Sequence, residues 1–128
     1  MHRPHVRVLV VDNDEAVRIA ISRALLDRNV FCDCAASGGD AIVRLGEREY
    51  ALMLLDFALP QAGAAAVIET LHGIHEGRRP IVIGTAVRGD DGRHTESELV
   101  HMIIRKPIRV GDVADMVGAC LAAQTRTE

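Results

Sequence analysis

The decade Ala51-Leu52-Met53-Leu54-Leu55-Asp56-Phe57-Ala58-Leu59-Pro60 decides how the chain is read. Its apolar run shows no alternation, so it reads as a strand buried on both faces in the middle of a parallel sheet. The run ends on a carboxylate. Open α/β sheets bind ligands just outside the carboxyl ends of their strands, so Asp56 stands at the mouth of the fold. An ionised carboxylate there needs a cation, a hydrogen bond or water. Pro60 delays the next helix and shapes the loop. The bland alternative is that Asp56 caps that helix, since Asp is a preferred N-cap residue.

Working outward, Val6-Arg7-Val8-Leu9-Val10-Val11 is a second buried strand, closed by Asp12-Asn13-Asp14. Val17, Ala20, Ile21, Ala24 and Leu25 then recur at helical spacing, predicting an amphipathic helix to Arg28. The stretch from Val30 to Ala35 carries a charge, as an edge strand does. Ser37-Gly38-Gly39 reads as a turn, followed by a helix from Ala41 to about Glu49. Beyond Pro60, Val67, Ile68, Leu71 and Ile74 mark a third helix. Ile81 to Thr85 is a fourth strand, and the polar, glycine-broken stretch Arg88 to Ser97 predicts a weak fourth helix. His101 to Ile104 is a fifth strand, and Val110 to Leu121 a final helix. Residues 1–5 and 124–128 are expected to be flexible ends of a single domain. Alternation of strand and helix predicts a doubly wound α/β fold with a parallel sheet and right-handed crossovers.

Composition narrows the function. A chain of 128 residues with 48% hydrophobic content suits one domain with a sizeable core. The net charge of −3 lacks the basic footprint of a nucleic-acid binder, and one Tyr with no Trp offers no stacking platform. No apolar run approaches a membrane span or a signal peptide, so a cytoplasmic location is expected. Cys32, Cys34 and Cys120 read as small buried hydrophobes, and a C-x-C alone is not a zinc signature. His72 and His75 are spaced to share a helix face, but a third ligand is missing from the pattern.

The polar residues that close the strands form a set. Asp12 and Asn13 follow the first, Asp56 the third, Thr85 the fourth and Lys106 the fifth. All lie at one edge of a parallel sheet, so all can converge. Crowded acidic groups call for a hard divalent cation, and oxygen ligands with retained waters suit Mg²⁺. A carboxylate beside a metal, a hydroxyl and an ammonium is arranged for phosphoryl transfer, with the carboxylate as nucleophile.

The chain here resembles the receiver domains of bacterial two-component response regulators. The resemblance rests on residues 8–14 (VLVVDND), 54–60 (LLDFALP), 84–86 (GTA) and Lys106-Pro107. It implies a flavodoxin-like (βα)5 fold with strand order 2-1-3-4-5. It implies that Asp56 accepts a phosphoryl group from a sensor histidine kinase or histidine phosphotransferase. Asp12, Asn13, Asp56 and the backbone carbonyl of Ala58 would hold Mg²⁺. Thr85 and Lys106 would bind phosphoryl oxygens, and the Lys106–Pro107 bond would be cis. The result would be altered affinity for an output protein, from a monomer or weak homodimer.

Several positions depart from that family's pattern. Asn13 replaces one acidic residue, predicting weaker metal binding. Ile103 stands where an aromatic ring is usual, so the switch is expected to pass from Thr85 through the backbone toward Ser97. Glycine falls at Gly63 with Ala64 next to it, and Leu99-Val100 replaces a small pair. These departures motivate a second reading, a receiver-like binding module independent of phosphorylation. A third, more distant reading is a haloacid-dehalogenase-type phosphatase, with Asp12 as nucleophile and Asp14 as acid/base. That reading leaves Asp56 unexplained and lacks the later acidic pair, since Asp112 and Asp115 fall in the last helix.

Overall fold

The computed structural model describes residues 6–87 and 98–126. In chain order it contains β1 (Val6–Val11), α1 (Glu15–Leu26), β2 (Phe31–Ala35), α2 (Gly38–Glu47), β3 (Leu52–Asp56) and α3 (Gly63–His72). A 3-10 turn (Glu76–Arg78), β4 (Ile81–Ala86), β5 (Val100–Arg105) and α4 (Val110–Arg126) follow. The strands form one parallel sheet in the order β2-β1-β3-β4-β5. The helix expected between Arg88 and Ser97 lies outside the described residues, as do residues 1–5.

The unalternating run at β3 is apolar because both faces are covered, and all five of its residues are buried. Leu9, Val11, Met53, Leu55 and Val82 face one core, with Ala41 of α2 and Val67 and Leu71 of α3. Val8, Val10, Leu52, Leu54 and Ile83 face the other, with Ile21 and Leu25 of α1 and Val113 and Val117 of α4. Each such side chain contributes roughly 1.5–3 kcal/mol on burial. The cores therefore fix the register, and the strand ends follow from it.

Several boundaries differ from the sequence reading. Ser37-Gly38-Gly39 is not a free turn. Ser37 caps α2, its hydroxyl accepting from the Asp40 N–H at 3.1 Å, and the glycines form the first helical turn. Gly38 is there because α2 and α3 touch at that point: a Cβ would fall 2.6 Å from the Gly63 carbonyl oxygen. A Cβ at Gly63 would itself be tight, 3.2 Å from Leu59 Cβ and 3.3 Å from the Gly38 nitrogen. His72 and His75 do not share a helix face, because α3 stops at His72. His75 instead caps the 3-10 turn, its Nδ1 accepting from Gly77 N–H at 3.1 Å. Helix α4 runs to Arg126, beyond the expected end at Leu121. α1 ends at Leu26, before the expected Arg28. Leu99 is packed in the core.

Candidate functional site

Strands β1 and β3 are adjacent and parallel, so the residues that follow them emerge side by side. Asp12 continues the β1 line, its N–H donating to the Ala35 carbonyl at 3.1 Å. Asp56 ends β3, paired with Thr85 of β4. β5 lies beyond β4 and carries the chain one residue further, where the Lys106 N–H donates to the Ala86 carbonyl at 2.8 Å. The Lys106–Pro107 peptide bond is cis. Four residues spread from position 12 to position 106 thus meet at one edge of the sheet.

Asp12, Asp56 and Thr85 are 4%, 1% and 4% exposed. Lys106 Nζ reaches into the cup, 3.0 Å from Asp56 Oδ1 and 3.8 Å from Asp12 Oδ2. Asp56 Oδ1 also accepts the Ala58 N–H at 2.9 Å, which folds the chain over the carboxylate. Asp56 does not cap α3: the residue preceding that helix is Ala62, with a left-handed backbone and no side-chain cap. Burial raises the Asp12 carboxyl above its ordinary value. The Asp14 N–H, 2.8 Å from Asp12 Oδ1, pulls it back, the Asp56 charge adds to the rise, and Lys106 opposes it. Two carboxylates facing one ammonium leave an excess negative charge, which a cation relieves.

Thr85 Oγ1 is buried and makes no hydrogen bond. A hydroxyl left so is costly, and it marks a place where a further polar atom belongs. Its strand is held against the site by the Phe57 N–H, which donates to the Thr85 carbonyl at 2.9 Å.

Other predicted residues sit around this cup. Asn13 is exposed at its rim. Asp14 is turned away: its Oδ1 caps α1, accepting from Ala16 N–H at 2.9 Å and Val17 N–H at 3.4 Å. The phosphatase assignment, which needs Asp14 as acid/base beside Asp12, does not fit that orientation. Ile103 lies on β5 opposite Gly84 and packs, half-buried, against the α2/α3 core. Among the described residues no three His, Cys, Asp or Glu side chains gather as a metal cluster. The donor set is instead two carboxylates with room for backbone and water, the kind of incomplete oxygen shell that Mg²⁺ accepts.

Two features escaped the sequence reading. Arg18, one turn into α1, donates from Nη1 to the Asp12 carbonyl at 2.8 Å and braces the loop from behind. Phe57 lays its ring over Gly84, directly before Thr85, so closely that no Cβ could stand there. An isolated glycine in a β-branched strand was the available signal for the second.

Depressions of about 270 and 300 Å³ lie at the opposite edge of the sheet, near Tyr50 and His101, and take no part in this cup. Among the described residues no helix is long and apolar enough to cross a membrane.

Comparison with known proteins agrees with this geometry. The chain is 27% identical over 81 residues to the transcriptional regulatory protein PmrA of Pectobacterium parmentieri. That match covers 63% of this chain and 36% of the relative, so the chain spans about a third of that protein's length. A response regulator receiver protein from Burkholderia phymatum superposes with a TM-score of 0.75 at 26% identity, over 92% of this chain and 96% of that one. A response regulator receiver domain from Methanospirillum hungatei JF-1 gives 0.82 at 21% identity, over 96% and 98%, which speaks to the fold. The family description "response regulator receiver domain" matches residues 8–118, nearly the whole of the sheet and its helices. The chain therefore belongs to the response regulator receiver domain family of two-component signalling.

Proposed function

We propose that this receiver is a phosphoryl-operated switch in which Asp56 is the acceptor. The donor is a phosphohistidine of a sensor histidine kinase or histidine phosphotransferase. The observation that carries the reading is the pairing of Asp56 with the unpartnered, buried Thr85 hydroxyl across one rung of the sheet. Both donors to Asp56, Lys106 and the Ala58 N–H, engage Oδ1. The lone pairs of Oδ2 are then the ones left to attack phosphorus, forming the P–O bond as the N–P bond to histidine breaks. Lys106 follows the charge onto a phosphoryl oxygen, and Thr85 donates its hydroxyl to another. Burial of the cup keeps bulk water from competing with these contacts.

Asp12, Asp56 and the Ala58 carbonyl are the residues that would hold Mg²⁺, with exposed Asn13 at the rim as a neutral fourth. When bound, the metal supplies positive charge against the acidic pair and the incoming phosphate. Replacing an acidic residue by Asn13 supports a weaker site than two acidic residues would make. The output is a change in affinity for a partner protein, carried through the Thr85 end of β4.

Intact-mass measurement after incubation with acetyl phosphate and Mg²⁺ tests the reading. One phosphoryl group should be gained by the parent chain, and none by Asp56→Asn. Gain of phosphate by Asp56→Asn would place the acceptor elsewhere and refute the assignment to Asp56; no gain by either protein with any donor would favour a binding module independent of phosphorylation.

A further inference from the structure

Cys32 and Cys34 project from one face of the edge strand β2, and both reach Ser22 of α1. The Cys32 thiol donates to Ser22 Oγ at 3.3 Å. Ser22 Oγ lies 3.1 Å from Cys34 Sγ. With its oxygen accepting from Cys32, the serine proton is available to Cys34. In that arrangement the bonds run from Cys32 through Ser22 to Cys34. Cys34 also lines an open depression of about 410 Å³ with Glu15, Arg18, Ile19, Ser22 and Arg23. Two arginines stand around that opening, and Cys32 is not part of its lining.

We propose that Cys34 is an oxidant-sensing thiol, modified by small hydroperoxides to a sulfenic acid. The Cys34 thiolate attacks the distal peroxide oxygen. An S–O bond forms as the O–O bond breaks; sulfur is oxidised and the peroxide reduced. The departing alkoxide, or hydroxide from hydrogen peroxide, takes a proton from water. The net change is thiol plus hydroperoxide to sulfenic acid plus alcohol or water.

The electrostatics agree with the geometry. Hydrogen bonding from Cys32, then from Ser22, with the Arg18 charge, outweighs burial and lowers the Cys34 thiol from about 9.0 to about 6. The interaction with Cys34, then burial, pushes Cys32 up against the lowering pull of Ser22, so it stays a thiol. The lowered thiol is more ionised at neutral pH, and its lower basicity offsets only part of that gain in reactivity.

The oxidation should stop at the sulfenic acid. Residues two apart on a strand lie ~6.6 Å apart, with their Cβ atoms side by side. A disulfide needs Cβ atoms ~3.8 Å apart, so bridging the pair would require β2 to leave its ladder. The site also adjoins the acidic cup. Ala35, next in the chain, accepts the Asp12 N–H, and Arg18 donates to the Asp12 carbonyl.

The test is brief exposure of the full chain to limiting hydrogen peroxide at pH 7 with dimedone present, then peptide mass spectrometry. Cys120, also half-buried, is the internal reference. Dimedone should mark Cys34 several-fold above Cys120, with gain of one oxygen per chain when dimedone is omitted. Ser22→Ala should reduce Cys34 labelling relative to Cys120. Equal labelling of Cys34 and Cys120 in the parent, preference for Cys32, loss of two hydrogens as in a Cys32–Cys34 disulfide, or undiminished labelling in Ser22→Ala would each overturn the proposal.

Discussion

Gly84→Ala isolates the contact between the acceptor loop and the strand that carries Thr85. A Cβ at position 84 would fall within 2.7 Å of three atoms of the Phe57 ring, Cζ, Cε2 and Cε1. Comfortable carbon–carbon contact begins near ~3.5 Å, so the ring or the strand must shift by about an ångström. Phe57 is 6% exposed and packed in the α2/α3 core, so the ring has little room to yield. Overpacking of this kind costs ~1–3 kcal/mol. Replacing a strand glycine returns ~0.5–1 kcal/mol of backbone entropy. The net expectation is a loss of about 1–2 kcal/mol, or ~3–8 °C in Tm for a chain of this size. Phe57→Ala alone should cost ~3–5 kcal/mol through the lost ring and the void it leaves. In that background Gly84→Ala becomes neutral or mildly stabilising, so the cycle should give a coupling of about 2 kcal/mol. Far-UV circular dichroism in a urea titration is the suitable readout, because the chain has no Trp. Additivity of the two substitutions within ~0.5 kcal/mol would refute the seating of the ring on the glycine.

Ala62→Gly should stabilise the protein. Gln61 and Ala62 both hold left-handed backbone, with φ of 59° and 56°, and glycine relieves ~1 kcal/mol there, less its greater freedom when unfolded. A thermal melt that fails to rise would contradict this. The pH dependence follows from Asp12, whose carboxyl is raised by burial above its ordinary 3.8. Between 3.8 and that higher folded value the native state binds more protons than the unfolded one. Stability contributed by this group therefore falls as pH rises through the window and stays lower at neutral pH. Asp12→Asn should accordingly raise the neutral Tm in metal-free buffer and flatten this limb; a lower neutral Tm would reverse the argument. Mg²⁺ at ten times its dissociation constant should add ~1.4 kcal/mol to the parent and markedly less to Asp12→Asn, read from the same melts.

The strands were legible because parallel strands buried on both faces leave unbroken apolar runs, and β1, β3 and β4 have them. The converging edge followed, since parallel strands end on the same side and the residues after them share it. Short-range signals that point two ways were read less well. Ser37-Gly38-Gly39 has turn composition, yet the serine caps a helix and Gly38 serves a contact with Gly63 on another helix. His72 and His75 have helical spacing, but Gly73 and the 3-10 turn intervene. The brace from Arg18, the thiol relay through Ser22 and the ring on Gly84 join residues from separate elements. Local pattern carries no record of such meetings.

Lys106 hangs from an edge strand, whose only ladder partner among the described residues is β4. The two carboxylates it faces come from interior strands. Should β5 peel back, the ammonium departs with it, and the acid pair is left without its tethered counter-charge. The lysine thus works as a removable stopper: sheet-edge fraying and the pull of the pocket on a free cation become two measures of one equilibrium.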